Sequence, residues 1–442
     1  MGIKEAIKDL KEIVGSENIL TAQADLIAYS LGKEELKRNL RVVVTPVKWE
    51  QISKILKVLN KFGIKSLIVG GGSFFLRDLS FPDEETAIIS TTKMHNVTIE
   101  RNSLTVKCEV GATIDQVNKY LSKFGLELPF KPFFKEIRTI GGCIAQNVYG
   151  FGSLKYGFFG KIVKELKVSL PRGDELELVE SSKGHGLLNL MIGGLGKLGF
   201  IAEALVKVKY QPKERKTIIL RFKSPLSLIR TVSDLFTIGL DPRVAEFMHQ
   251  GLILDICTLK NRLFDPNGCN NILILEFEAD EGLTKKLKLA LKIARDIEGT
   301  VEIGKEVKET LRIRENVLPI LVAEISPFIL FDVHMPVKNI PGLILNLNSM
   351  KAKLYLFGHL GGPIHLAIPV KPKDDLESIK LRINSVINVI NKHGGKILDF
   401  STYKCPPRIK REVLKEELKL IREVNSALKS IIDPHGILNI FW

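Results

Sequence analysis

Cysteine and tryptophan are scarce here, with five of the first and two of the second among 442 residues. The cysteines, at 108, 143, 257, 269 and 405, lie far apart with no CxxC pair. That spacing excludes a zinc ribbon, an iron–sulfur cluster and a disulfide framework, so any redox chemistry requires a bound organic cofactor. Long hydrophobic runs are missing too. The longest, Val317 to Phe331, is broken by Pro319, Glu324, Ser326 and Pro327, so no transmembrane segment is expected. Residues 1–15 form a charged amphipathic pattern without the apolar centre of an export leader, and the expected location is cytoplasmic. The net charge of +15, from 65 Lys and Arg against 50 Asp and Glu, is scattered along helices. Dispersed charge of this kind does not make a nucleic-acid footprint and leaves solvated lysine-rich faces or an anionic substrate. What is abundant is hydrophobic residues, 45% of the chain, enough for large cores in two or three domains.

The chain is organised around SLIVGGGSFFLR, Ser66 to Arg77, where an apolar run breaks into Gly70, Gly71, Gly72 and Ser73. Three bare residues expose backbone N–H groups in a concave nest suited to a diphosphate, although a plain glycine turn has the same composition. A Rossmann fingerprint is excluded because Phe75 stands where its third glycine would fall, and no lysine follows as a P-loop requires. The nest sits behind a helix predicted from Trp49 to Phe62, with Ile52, Ile55, Leu56, Leu59 and Phe62 on one face.

Before this region, residues 1–36 read as two short helices forming a packing arm. After it come strands at 87–90, 97–100 and 104–110, the last two joined near Asn102, and a helix opened by a Thr113/Gln116 capping box. Residues 138–157 are rich in glycine and alanine without an amphipathic period, a composition that lets backbone approach another element or a flat ligand. A further glycine cluster, Gly193, Gly194, Gly196 and Gly199, precedes a long strand.

The order of these motifs resembles the FAD-binding domain of the vanillyl-alcohol oxidase and p-cresol methylhydroxylase (PCMH) superfamily, in its D-lactate dehydrogenase and glycolate oxidase subunit branch. The resemblance implies that Gly70, Gly71, Gly72 and Ser73 bind the pyrophosphate of FAD. It implies that Thr139, Gly141, Gly142, Ala145, Asn147 and Gly150, with Tyr156 and Gly157, run along the cofactor. It also implies that Gly193 to Phe200, including Gly196 and Gly199, and Ile201 beyond them, line the flavin, with Leu195 replacing a glutamate. No histidine or cysteine occupies the loop positions that anchor covalent flavins, so noncovalent FAD is expected. The implied fold is α+β: a two-subdomain PCMH-type FAD-binding domain over residues 37–212 and an α+β cap with an antiparallel sheet over 213–405. A helix and tail, 406–442, return to the first domain and bring Asn439 toward the flavin ring.

In the second half, strands and helices alternate as an antiparallel sheet expected to carry helices on one side. LRIRENV, 311–317, resembles the family helix whose arginine holds a substrate carboxylate, here Arg314; a planar guanidinium suits that task, and a surface arginine is the alternative. FDVHMP, 331–336, resembles the following strand, with Leu330 in place of a frequent lysine. GHLGGPIHLAI, 358–368, retains His359 and His365 of the family's metal motif, six apart instead of seven, while Gly362 and Pro363 replace its Asp and Asn. Asp399 is the carboxylate nearest the position of the missing second motif, and His334 is a possible third ligand. Two histidines alone make a poor divalent-metal site, and without metal either can act as a base or be a satisfied core residue.

These readings lead to an FAD-dependent oxidoreductase that oxidises a small D-2-hydroxy acid, lactate- or glycolate-like, or a related alcohol. Arg314 would hold the anionic substrate and His359 or His365 would take its proton. The alternative is a catalytically degenerate FAD-binding subunit that serves structure or electron transfer in a complex. Electrons must leave for oxygen, a quinone or an iron–sulfur partner subunit. The physical test is whether Gly71, Gly142 and Gly196 share one cleft.

Overall fold

The computed structural model describes residues 2–30, 34–73, 84–180, 186–260, 271–279, 281–297, 299–301, 305–350, 353–371, 374–406, 409 and 419–438. Its amino-terminal half holds two sheets. In the first, the order is Ile19–Leu20, Leu40–Val44, Thr86–Ser90, Lys65–Val69, and the last three strands run parallel with Val43, Ile88 and Leu67 in register. Parallel strands are buried on both faces. Accordingly Val42, Val44 and Ile89 join the main core while Val43, Ile88 and Leu67 join a second cluster with Leu26 and Leu36. The helix predicted from the apolar spacing is Glu50–Phe62, stopped by Gly63 at φ +64, and Ile3–Val14 packs across it.

The second sheet is antiparallel, in the order Val97–Glu100, Thr105–Glu109, Phe200–Lys207, Val163–Ser169, Glu175–Val179. One hydrophobic core runs between both sheets, taking Val106, Leu166 and Val206 from the second. The capping box forms as expected: Gln116 N donates to Thr113 Oγ1 at 3.2 Å and Thr113 N to Gln116 Oε1 at 2.9 Å. The glycine-rich 138–157 stretch opens with a short helix, Ile140–Gln146, capped by Thr139. The first helices are followed by one the periodicity did not indicate, Glu34–Asn39.

The second half builds an eight-stranded antiparallel sheet in the order Thr300–Val301, Glu214–Phe222, Asn271–Ala279, Val244–Met248, Tyr355–His359, Pro363–Pro369, Phe328–His334, Lys396–Tyr403. Helices cover both faces, not one. Pro225–Thr237, Leu283–Asp296, Ile340–Ser349 and Leu376–Lys392 lie over the core that holds Leu273, Leu275 and Phe277. Gln250–Lys260 and Val317–Ile320 lie over Ile272 and Ile274 on the other face. The signal was in the sequence: Ile272 to Leu275 is an unbroken apolar run, the pattern of a strand buried on both sides.

The tail returns to the first sheet. After the helix Lys419–Ile432, Leu438 bridges Ser66 in parallel, and Ser66 donates from both N and Oγ to Ile437 O, at 2.6 and 2.7 Å. Buried Asp433 ties the turn by accepting from Ile437 N and Leu438 N, each at 2.9 Å. Asn439 lies outside the described residues.

Candidate active site

Gly71, Gly142 and Gly196 line one cleft at the edge where the two amino-terminal sheets meet, together with Gly70, Gly72, Ser73, Thr139, Gly141, Ala145, Gly199 and Ile201. The glycines do two jobs there. A Cβ on Gly70 would overlap Thr139 Oγ1, one on Gly71 would overlap Ile137 O, and one on Gly141 would lie 2.7 Å from Val110 Cβ. Absent side chains therefore let the 70–73 turn and the 137–142 segment lie backbone against backbone, as well as leaving main chain exposed in the cleft. Leu195 and Gly196 both take left-handed φ, +53 and +69. Leu195 N is held by Ala145 O at 2.9 Å. Thr91, buried at the cleft wall, has an Oγ1 without a hydrogen-bond partner among the described residues. A glycine-walled groove with an unsatisfied buried hydroxyl fits an elongated polar ligand such as FAD.

Not every residue assigned to the cofactor by resemblance faces this cleft. Asn147 ends the Ile140–Gln146 helix at φ +46, spends its Oδ1 on Gly160 N at 2.9 Å and lines a second, adjoining cavity. Tyr156 and Gly157 line neither. The Tyr156 hydroxyl donates to Glu278 on the strand Asn271–Ala279, which also receives Lys155 at 3.2 Å, Lys209 at 3.1 Å and Arg215 at 3.3 Å. Burial alone would raise the Glu278 carboxyl, but the Tyr156 and Lys209 hydrogen bonds and the Lys209 and Arg243 charges pull it down to about 2.

The second cavity measures about 490 Å³ and joins the cleft at Ser73, Arg138, Gln146 and Leu195. It brings together His359, His365 and Arg314. Strand register explains the arrangement, because residues directly opposite on neighbouring strands share a face at close range. Glu246 stands opposite His359, and Asp332 opposite both His365 and Asp399. Two imidazole–carboxylate pairs result. His359 Nδ1 meets Glu246 Oε1, and His365 Nδ1 meets Asp332 Oδ1 at 2.6 Å, with the two rings 5.8 Å apart.

Arg314 is 2% exposed and completes the first pair, donating from Nε at 3.0 Å and Nη2 at 2.5 Å to Glu246 Oε2. Its guanidinium also lies 4.6 Å from the Phe133 ring centre. Two of its donors are thus spent inside the protein. The expectation of an arginine fork presented whole to a substrate is to that extent altered. Burial would raise the Glu246 carboxyl, but the charges of His359 and Arg314 override it and hold the group below the usual range. Burial pushes His359 below an ordinary histidine more strongly than Glu246 draws it up. A neutral His359 beside an ionised Glu246 carries its proton on Nδ1, so Nε2 holds the lone pair.

His334 is exposed at the end of its strand and lines neither cavity. Each imidazole is tied through Nδ1 to its own carboxylate, which leaves Nε2 as its other ring nitrogen, and among the described residues no group of three or more His, Cys, Asp or Glu is placed to hold a metal ion.

Glu246, Asp332, Arg138 and Thr91 escaped the sequence reading. Glu246 carried a signal, being an acid inside an otherwise apolar strand, Val244–Met248, and such a charge is buried only when paired. Asp332 sits within the DVxxP match, and Arg138 directly precedes Thr139.

Comparison with known proteins agrees with this geometry. The FAD binding domain model matches residues 40–178, and the model for the C-terminal domain of FAD linked oxidases matches 211–440. Glycolate oxidase subunit GlcD of Bacillus subtilis is 26% identical, covering 99% of this chain and 96% of its own. D-lactate dehydrogenase of Anaerostipes hadrus is 24% identical, covering 91% and 89%. The structure of p-cresol methylhydroxylase with substrate bound superposes with a TM-score of 0.69 over 98% of this chain and 95% of its own, at 14% identity, a likeness of fold. Among the described residues no helix is long and apolar enough to cross a membrane. With a glycine-walled cleft opening into a histidine-lined cavity, and a family match across more than half its length, the chain belongs to the FAD linked oxidases and is an FAD-binding oxidoreductase related to glycolate oxidase and D-lactate dehydrogenase.

Proposed function

We propose that this protein oxidises the hydroxyl carbon of a D-2-hydroxy acid or related alcohol, with FAD held noncovalently in the glycine-walled cleft. The observation that carries the reading is the buried Arg314–Glu246–His359 arrangement at the cavity joined to that cleft. FAD, when bound in the cleft, would supply the hydride acceptor, and a separate oxidant would take the two electrons onward. The protein's own residues supply the rest. His359 Nε2 takes the hydroxyl proton, and Glu246 steadies the imidazolium that forms. His365, paired with Asp332, is the second imidazole within reach of the same space. Arg138, at the junction of cleft and cavity, and the remaining face of Arg314 draw the carboxylate in.

Noncovalent attachment rests on the sequence resemblance, in which no histidine or cysteine occupies the loop positions that anchor covalent flavins. In this reading residues 1–36 are an arm, 37–212 hold FAD, 213–405 form the cap, and 406–442 return to the first domain. An electron acceptor subunit with iron–sulfur clusters, oxygen or a quinone completes turnover. The alternative, a flavin subunit devoted to structure or electron transfer, draws support from the engagement of Arg314 by Glu246. Anaerobic titration of the reconstituted flavoprotein with D-2-hydroxy acids separates the two. Bleaching of the oxidised flavin band by one of them is the expected result, and silence toward all of them would favour the electron-transfer role.

A further inference from the structure

We infer that the preferred substrate is a monocarboxylic 2-hydroxy acid with a bulky apolar side chain, an inference that rests on the 2-hydroxy-acid reading above. The cavity of about 490 Å³ is shared, because Gly193 and Leu195 on its FAD-domain side are where the flavin ring would lie, and the substrate takes the part walled by the second half of the chain. Part of the wall contributed by the second half of the chain is apolar: Leu318, Leu330, Leu398 and the ring of Tyr403. Leu330 is 4% exposed and stands where the resemblance expects a lysine, so that position offers hydrocarbon and no cation. Leu398, at 41% exposure, carries the same apolar surface outward toward solvent.

The charges lining the cavity point the same way. Its guanidinium groups are Arg138 and Arg314, the latter already bound to Glu246. Against them stand the carboxylates of Glu315, Asp332 and Asp399, of which Glu315 is held by Lys131 at 3.1 Å and Asp332 by His365 at 2.6 Å. One substrate carboxylate has a cation at the cleft junction, whereas a second, projecting toward Leu330, would meet hydrocarbon with Asp332 and Asp399 beside it. Glycolate or lactate would leave the leucine wall in contact with water. Each methylene that covers it is worth about fourfold in selectivity, so three added methylenes favour 2-hydroxyhexanoate over lactate by roughly 60-fold.

The test uses the FAD-loaded protein and two readouts. Calorimetry measures binding of pyruvate, 2-oxohexanoate, phenylpyruvate and 2-oxoglutarate, and dye-coupled assays give kcat/KM for the matching D-2-hydroxy acids. The inference expects the six-carbon and aryl compounds to lead by at least tenfold in both, with 2-oxoglutarate weakest. Equal or tighter binding of pyruvate or 2-oxoglutarate would overturn it, whether or not hydroxy acids reduce the flavin. Tight binding of the apolar oxo acids without reduction by their hydroxy forms would support the ligand class while counting against oxidation. Leu398→Lys, at a half-exposed position that tolerates charge, should narrow the ratio of six- to three-carbon kcat/KM by at least tenfold; an unchanged ratio would overturn the assignment of this wall.

Discussion

Glu246 places both His359 and Arg314 with one carboxylate, and this makes it the most informative residue to change. Glu246→Gln keeps a hydrogen-bond acceptor for His359 Nδ1 but removes the charge that stabilises an imidazolium and leaves a buried guanidinium unpaired. Such a vacancy costs about 3–5 kcal/mol, so thermal unfolding should show a clear fall in Tm, and kcat should drop by roughly 10²-fold for a base losing its partner. The wild-type pH profile has a defined sign. A base must be neutral to work, and burial holds His359 below an ordinary histidine. kcat/KM should therefore stay level from neutral pH down past the usual histidine range and fall only in more acid solution. A second buried imidazole, His249, bears on stability instead. Burial pushes it down to about 4, and its Nε2 has no hydrogen-bond partner among the described residues. The unfolded chain takes up that proton first, so native stability falls as pH drops from about 6.5 toward about 4. The contribution is about 3 kcal/mol. Denaturant melts of His249→Leu should lose that part of the acid sensitivity.

At the scale of elements, the sequence was most legible where a rule is local. Apolar spacing located Glu50–Phe62, and Thr113 with Gln116 announced the start of the next helix. Glycine positions foretold a shared cleft, since bare backbone is needed wherever two segments touch. What spacing could not reveal was which residues face each other across strands, because Glu246 and His359 are neighbours only through a register set by the whole sheet. For the same reason Tyr156, read as part of the cofactor wall, turns out to be bound to Glu278 across the molecule. Gly71→Ala tests the element-level claim. Its methyl group would overlap the Ile137 carbonyl and push the 70–73 turn away from the 137–142 segment. Fluorescence titration should show FAD affinity reduced at least tenfold, with far-UV circular dichroism retained.

Across the whole molecule, the two halves are stitched by charge. Lys155, Tyr156 and Lys209 from the amino-terminal half and Arg215 and Arg243 from the second converge on Glu278. Removing that acceptor takes away the group these cations share and leaves Lys209, Arg215 and Arg243 to Glu127 and Glu276 at a partly buried seam. Glu278→Ala should therefore split a single calorimetric transition into two and hasten flavin loss on dilution; an unaltered endotherm would argue that apolar contacts, not this cluster, join the halves. The return of the tail has a different consequence. Ser66 lies one strand-length before Gly70, and its backbone partner is Ile437. During synthesis the groove for the nucleotide therefore waits, one edge unpaired, until Ile437 has left the ribosome, so flavin capture follows translation of the entire second sheet and a product truncated after Ile432 should emerge colourless.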